Sequence, residues 1–222
     1  MNLTSDTVAI LKNFSDINQN ILVKPGNQLQ TISTLKNILA QADVTEKFDQ
    51  EFAIYDLPEF LRAVDLFDKS DLKFNGGQNL TIADCYSKES IKYYFADKSV
   101  VVAPTKMINM PDKYVTFALK KDVFAKLMRG VSTLNLPDIA VTGDGKEIKL
   151  VATDKKTPSS NDYSIVVGET DKTFKAYFKT ENFKMIQDDY DVAISSQKIS
   201  HFINRLSLIH ISEPTRQAEI SY

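Results

Sequence analysis

The chain has 222 residues, with 27 lysines and arginines against 29 aspartates and glutamates, a formal net charge of −2, 43% hydrophobic residues and one cysteine, Cys85. That balance gives no compositional sign of a nucleic-acid partner, and a lone cysteine excludes an intrachain disulfide and fits a reducing cytoplasm. No run approaches the roughly 20 apolar residues of a membrane helix, the N-terminus lacks the basic, apolar and small-residue succession of a signal peptide, and the length suits one large core or two domains of roughly 100 residues.

Residues 3–17 read as a helix, with Ser5 or Asp6 as its cap and Val8, Leu11, Phe14 and Ile17 as its apolar stripe. Residues 20–24 and 29–34 read as a hairpin around Pro25-Gly26-Asn27, and 38–45 and 48–55 as two more strands. In the next helix Asp56 can cap and Pro58 suits the first turn. Phe60, Leu61, Val64 and Phe67 fall on one of its faces, and Glu59, Arg62 and Asp65 on the other. Residues 72–74 and 80–85 flank Asn75-Gly76-Gly77-Gln78-Asn79, a strong hairpin signal, and 90–95 is an aromatic strand.

Residues 97–113 break the pattern. They hold Pro104, Pro111, an apolar start and a Met-Ile-Asn-Met segment, and read as an extended surface connector. Beyond it come a strand at 114–119 and a helix at 122–134 whose inner face carries Val123, Phe124, Leu127 and Val131. Strands at 139–142 and 147–153 flank Gly143-Asp144-Gly145, and strands at 163–168 and 173–178 follow. Next come a short helix that Thr180 can cap, bearing Phe183 and Ile186, and strands at 190–195 and 199–204.

The strand–helix unit therefore recurs, with helix starts near residues 6, 58, 122 and 181. Such repetition predicts an α+β chain of two copies of one domain, each with two helices packed on antiparallel sheets. The boundaries are 1–96, a connector at 97–113, and 114–205.

No phosphate-binding glycine loop, nucleophile elbow or Cys/His cluster is present, so no catalytic residue, metal or cofactor is expected. His201 and His210 are isolated, and Asp43, Asp49, Glu51 and Asp56 do not converge at their spacing. The polar faces of the helices say more. Lys12 lies on the first, Arg62 on the second, Lys120, Lys121, Lys126 and Arg129 on the third, and Lys184 on the fourth. For any one helix an ordinary solvated face explains its cations. Four equivalent helices each carrying cations in an acidic chain suggest a surface that meets phosphates, without the readers needed for base-specific recognition.

Ala9-Ile10-Leu11-Lys12-Asn13-Phe14, Ala53-Ile54-Tyr55-Asp56-Leu57, Leu80-Thr81-Ile82-Ala83-Asp84 and the connector Val101-Val102-Ala103-Pro104-Thr105-Lys106 with Pro111 resemble the DNA polymerase sliding clamps, those of T-even-type bacteriophages above all. The likeness runs from Met1 to about Arg205 and is one of pattern, without a catalytic signature. It implies a closed homotrimeric ring with helices lining a hole and sheets outside, through which duplex DNA passes without sequence readout. It also implies a clamp-loader ATPase and the C-terminal peptide of a replicative polymerase as partners, no membrane, and a virus-encoded protein working in the host cytoplasm.

Carried over to this chain, the DNA-facing residues are the seven cations above. The peptide pocket falls on Val102, Pro104, Met107, Ile108, Met110 and Pro111, although those methionines could equally pin the connector down. The subunit interface falls on two strand edges, with Ile91, Tyr93 and Phe95 on one and Tyr163, Ile165 and Val167 on the other. Competing readings are a duplicated β-rich phage structural or adaptor protein, and an enzyme whose site forms across subunits.

Residues 206–222 read differently. Leu-Ser-Leu-Ile-His-Ile-Ser-Glu-Pro-Thr-Arg, from Leu206 to Arg216, resembles, letter for letter, one reading frame of the transposase adapter used in DNA sequencing libraries. Ile220-Ser221-Tyr222 matches the adapter's next fixed segment, and the three residues between span one last adapter base and an index of about eight bases. The expectation is a translated adapter in place of a native third strand; the alternative is a genuine divergent tail. The alternation from Leu206 to Ile211 suits the vacant strand position by accident, and Pro214 would end such pairing.

Overall fold

The computed structural model describes residues 1–105, 109–197, 199–204 and 208–212. The chain divides into two compact units, Met1–Met107 and Ile108–Tyr222.

In the first unit, helix α1 (Ser5–Ile17) buries Ile10, Leu11, Phe14 and Ile17. Its cap is Thr4, since Ser5 already has helical geometry; Thr4 Oγ1 accepts the Thr7 amide at 3.3 Å. Glu46 reinforces this end, accepting the Thr4 amide and the Thr7 hydroxyl. Burial pushes the Glu46 carboxyl up, but the bonds from Thr7 and Thr4 outweigh it and hold it below the usual carboxylate range. A depressed folded pKa adds stability above the unfolded pKa that is lost as pH falls through the folded one. Glu46→Gln is therefore expected to cost about 1 kcal/mol at neutral pH and to flatten the loss of thermal stability between pH 6 and pH 3, read by melting curves across that range.

Strands β1 (Ile21–Val23), β2 (Gly26–Ile32), β3 (Ile38–Phe48) and β4 (Phe52–Ile54) follow. The expected β1–β2 hairpin does not form. β1 pairs with β4, Ile21 opposite Ile54, and β2 pairs with β3. Gly26, at φ 121°, sends the chain into β2 instead of back along β1. The short apolar runs of β1 and β4 then bury one another's flanks. Helix α2 (Leu57–Asp65) starts as the sequence indicates, with Asp56 Oδ1 accepting the Glu59 amide at 2.7 Å and Pro58 in its first turn. It buries Leu57, Phe60, Leu61 and Val64 and ends before Phe67, which is half-buried outside it. Strands β5 (Ser70–Phe74) and β6 (Asn79–Asp84) form the hairpin, with Gly76 at φ 68°, and β7 (Ser90–Tyr94) completes a sheet ordered β5-β6-β7. The Leu72 amide donates to Met1 O at 2.8 Å, setting the chain's first residue beside β5.

The second unit opens with β8 (Val115–Leu119) and α3 (Lys121–Leu134), which stops at Asn135 in the left-handed region. Strands β9 (Asp138–Asp144), β10 (Glu147–Thr153), β11 (Tyr163–Glu169) and β12 (Thr173–Lys179) form a sheet ordered β11-β10-β9-β12. β11 and β12, adjacent in sequence, thus occupy opposite edges. Phe124, Leu127 and Val131 of α3 enter one core with Ile139, Leu150 and Phe178.

The expected fourth helix is a single 3-10 turn, Thr180–Asn182. Thr180 does not cap it: its hydroxyl donates to Pro137 O at 3.1 Å, and its amide bonds the same carbonyl. Phe183 and Met185, two apart, then enter the core; the Phe183 ring lies 5.7 Å from Phe178 and 5.9 Å from Phe202. Residues two apart share a side in an extended chain, so packing overrides helix propensity here. Strands β13 (Tyr190–Ile194), β14 (Ser200–Asn204) and β15 (Leu208–Ser212) follow, ordered β8-β13-β14-β15. The third-strand position is therefore filled by the start of the adapter-like tail. Residues 213–222 lie outside the described residues.

Candidate functional site

All seven candidate cations are exposed. Lys12 and Arg62 lie on α1 and α2, on the sides away from Phe14 and Phe60. Lys120 immediately precedes α3 and is tied to Asp189 at 3.2 Å, while Asp189 also accepts the Lys121 amide at 2.8 Å. Lys126 reaches Asp122 one turn earlier at 3.6 Å, a solvated pair worth little. Lys12, Arg62, Lys121 and Arg129 have no ion pair among the described residues, so their charge is available to a mobile anion. Lys184 stands just beyond the 3-10 turn and is not on a helix.

The two candidate interface strands both lie at sheet edges, β7 beside β6 and β11 beside β10. Their inward side chains serve the units' own cores. Tyr93 packs edge-on against Phe60 at 5.2 Å, and burial, then Glu59 and Asp56, pushes its hydroxyl pKa up to about 12. Phe95 stacks against Phe52 at 5.0 Å, and Ile91 is half-buried. Tyr163, Ile165 and Val167 pack on the core of the second unit, while Val166, 52% exposed, points away from it. A Cβ on Gly130 would lie 2.4 Å from Tyr163 Cδ1, so the ring rests on the backbone of α3 and fixes β11 to that helix.

The connector is less extended than its composition suggests. It begins with a 3-10 turn, Lys98–Val100, and is then gripped by two asparagines: the Val102 amide donates to Asn20 Oδ1 at 2.8 Å, and Asn18 Nδ2 approaches Val102 O at 3.5 Å. Pro104 is buried and, with Leu22, Pro25, Gln28 and Gln30, lines a groove of about 300 Å³ in the first unit. Met107 and Ile108 lie outside the described residues. Met110 is half-buried and Pro111 exposed, both in the second unit. There Asp112 accepts the Ser195 hydroxyl and the Ser196 amide, and the Ser195 bond above all holds its carboxyl below the usual range. Of the pocket candidates only Pro104 lines the groove; Val102 is held beside it by the two asparagines, and Met110 and Pro111 belong to a separately anchored stretch.

Tandem α+β units of this topology define the processivity-clamp fold. PCNA from Thermococcus kodakaraensis matches it with a TM-score of 0.72 at 11% identity, over 96% of this chain and 98% of its own. The PCNA2–PCNA3 complex from Sulfolobus tokodaii matches at 0.69 and 12%, over 96% of each chain. In sequence, the DNA polymerase processivity factor family matches residues 4–103, and the gp45 sliding clamp, C terminal, family matches residues 116–210. The sliding clamp of Vibrio phage KVP40 is 35% identical over 210 residues, 91% of this chain and 94% of its own. Those of Enterobacteria phage T4 and Escherichia phage RB69 are 31% and 30% identical over 87% of each chain. The chain belongs to the DNA polymerase processivity factor family, the sliding clamps. That favours the clamp reading over a duplicated structural or adaptor protein. Among the described residues, no helix is long and apolar enough to cross a membrane.

Proposed function

We propose that three copies of this chain close into a ring around duplex DNA and tether a replicative polymerase, without catalysing a reaction themselves. A clamp-loader ATPase opens and closes the ring on DNA, and the polymerase's C-terminal peptide docks along the connector. The work takes place in the cytoplasm of the virus's host. The observation that carries this reading is the exposed cation row of α3, Lys121, Lys126 and Arg129, on a clamp fold whose chain carries net negative charge. A ring held topologically needs only weak, exchangeable phosphate attraction; tight contacts would stop it sliding. Head-to-tail closure requires two different open edges, which β7 and β11 supply.

The test is primer extension by the cognate polymerase and loader. Lys126→Glu with Arg129→Glu is expected to shorten products about tenfold at moderate salt, since two opposed charges replace two attractive ones, with the deficit shrinking as added salt screens both and the sedimenting mass unchanged. Full-length products at that salt would remove α3 from the DNA-facing surface.

A further inference from the structure

The outer face of the second unit's four-stranded sheet gathers cations around one aromatic ring. On β12 the side chains of Phe174, Ala176 and Phe178 are buried, and those of Thr173, Lys175 and Tyr177 take the opposite face. Lys175 Nζ lies 5.0 Å from the Tyr177 ring centroid, and Lys155 Nζ, from the loop after β10, lies 4.8 Å from it. Thr142 of β9 stands directly opposite Lys175. With Thr173 and Phe174 these residues line a cleft of about 410 Å³.

The carboxylates around the cleft already have cations or amides of their own. Asp144 accepts the Lys146 and Glu147 amides at 3.0 and 2.8 Å and pairs with Lys149 at 3.3 Å. Asp138 takes Lys179 at 2.6 Å and the Lys155 amide at 3.1 Å, and Asp154 takes the Lys156 amide at 2.8 Å. Lys175 has no ion pair among the described residues, and the cleft is cationic. β12 is also an edge, bonded to β9 alone among the described residues. Its outer row of main-chain groups is open to a further strand.

We infer that this cleft and edge bind an extended acidic peptide segment of a partner protein, which adds as a strand along β12 and sets its carboxylates on Lys155 and Lys175. Charge complementarity selects the acid, and the open main-chain edge selects a peptide over a polynucleotide, which cannot continue a β ladder. A single tyrosine beside two ammonium groups also lacks the second stacking platform that single-stranded nucleic acid uses. The site sits on the edge opposite β11, so it and the proposed subunit contact do not compete, and it does not depend on ring closure.

The test uses the full chain with two fluorescent probes, a seven-residue peptide alternating Glu with Phe or Val and a 12-nucleotide oligo-dT, read by anisotropy at low salt. Saturable, salt-sensitive peptide binding is expected. Lys155→Gln with Lys175→Gln should weaken it about tenfold, while melting temperature and circular dichroism stay unchanged. Tyr177→Phe, which keeps the ring, should bind like the parent. No saturable peptide binding, equal binding by the double variant, or preference for oligo-dT would overturn the inference; lysines that only guard an edge against aggregation give the first of these.

Discussion

Val166→Asp is expected to convert the assembled protein to monomers. β11 is one of the two edges of its sheet among the described residues, and Val166 is the large apolar side chain on that strand that its own core does not use. Closing a second sheet edge onto β11 would take Val166 out of water. A carboxylate there would lose its hydration with no cation provided. At about 3 kcal/mol for an unpaired buried charge, each contact weakens roughly a hundredfold, and a closed ring has the contact at every junction. The unit itself should fold normally, because Val166 is 52% exposed and Tyr163, Ile165 and Val167 still fill the core. Sedimentation velocity at low micromolar concentration checks the mass, and thermal melting checks the fold. A variant that still runs as a trimer places the subunit contact elsewhere.

The second large effect concerns the gene. Resequencing across codon 205 from unamplified DNA is expected to return a different C-terminus in place of Leu206–Tyr222. Fixed adapter letters recur there in one frame, interrupted by a gap of index length. A strand at Leu208–Ser212 does not argue against this, nor does a family match ending at residue 210. An alternating apolar run beside the open edge of β14 can pair whatever its origin, because the bonds of the ladder join main-chain groups that every residue but proline supplies. If resequencing returns a different last strand, a chain carrying it should be more stable than this one, as side chains selected for that position would replace accidental ones. Reading the same seventeen codons again from unamplified DNA would establish the tail as native.

Local signals carried much of the fold. The start of α2 was legible because the Asp56 cap, Pro58 and the stripe of Phe60, Leu61 and Val64 agree, although the helix ends before Phe67, which periodicity places on it. The hairpins at Gly76 and Gly145 were legible because their turns need positive φ. Non-local competition accounts for the errors. The Thr180 hydroxyl found Pro137 O instead of a helical amide, and β1 found β4 because Gly26 steered β2 away. At the site, the exposed cations of α1, α2 and α3 could be named from helical periodicity, though the helix expected to carry Lys184 does not form, and the two edge strands could be named from their composition. The grip of Asn18 and Asn20 on Val102, more than 80 positions away, left no trace in local sequence. Nor did the seating of Tyr163 on Gly130, or the gathering of Lys155 and Lys175 at Tyr177.

Topological tethering is the centre of this account, and DNA without ends tests it most directly. The labelled protein is loaded by its cognate loader and ATP onto a nicked circular duplex, freed of unbound protein at a salt concentration that screens phosphate contacts, and the circle is then cut once with a restriction enzyme. The account predicts that the protein stays on the circle and leaves within minutes of linearisation. Equal retention on circular and linear DNA, or loss from the intact circle at that salt, would contradict it.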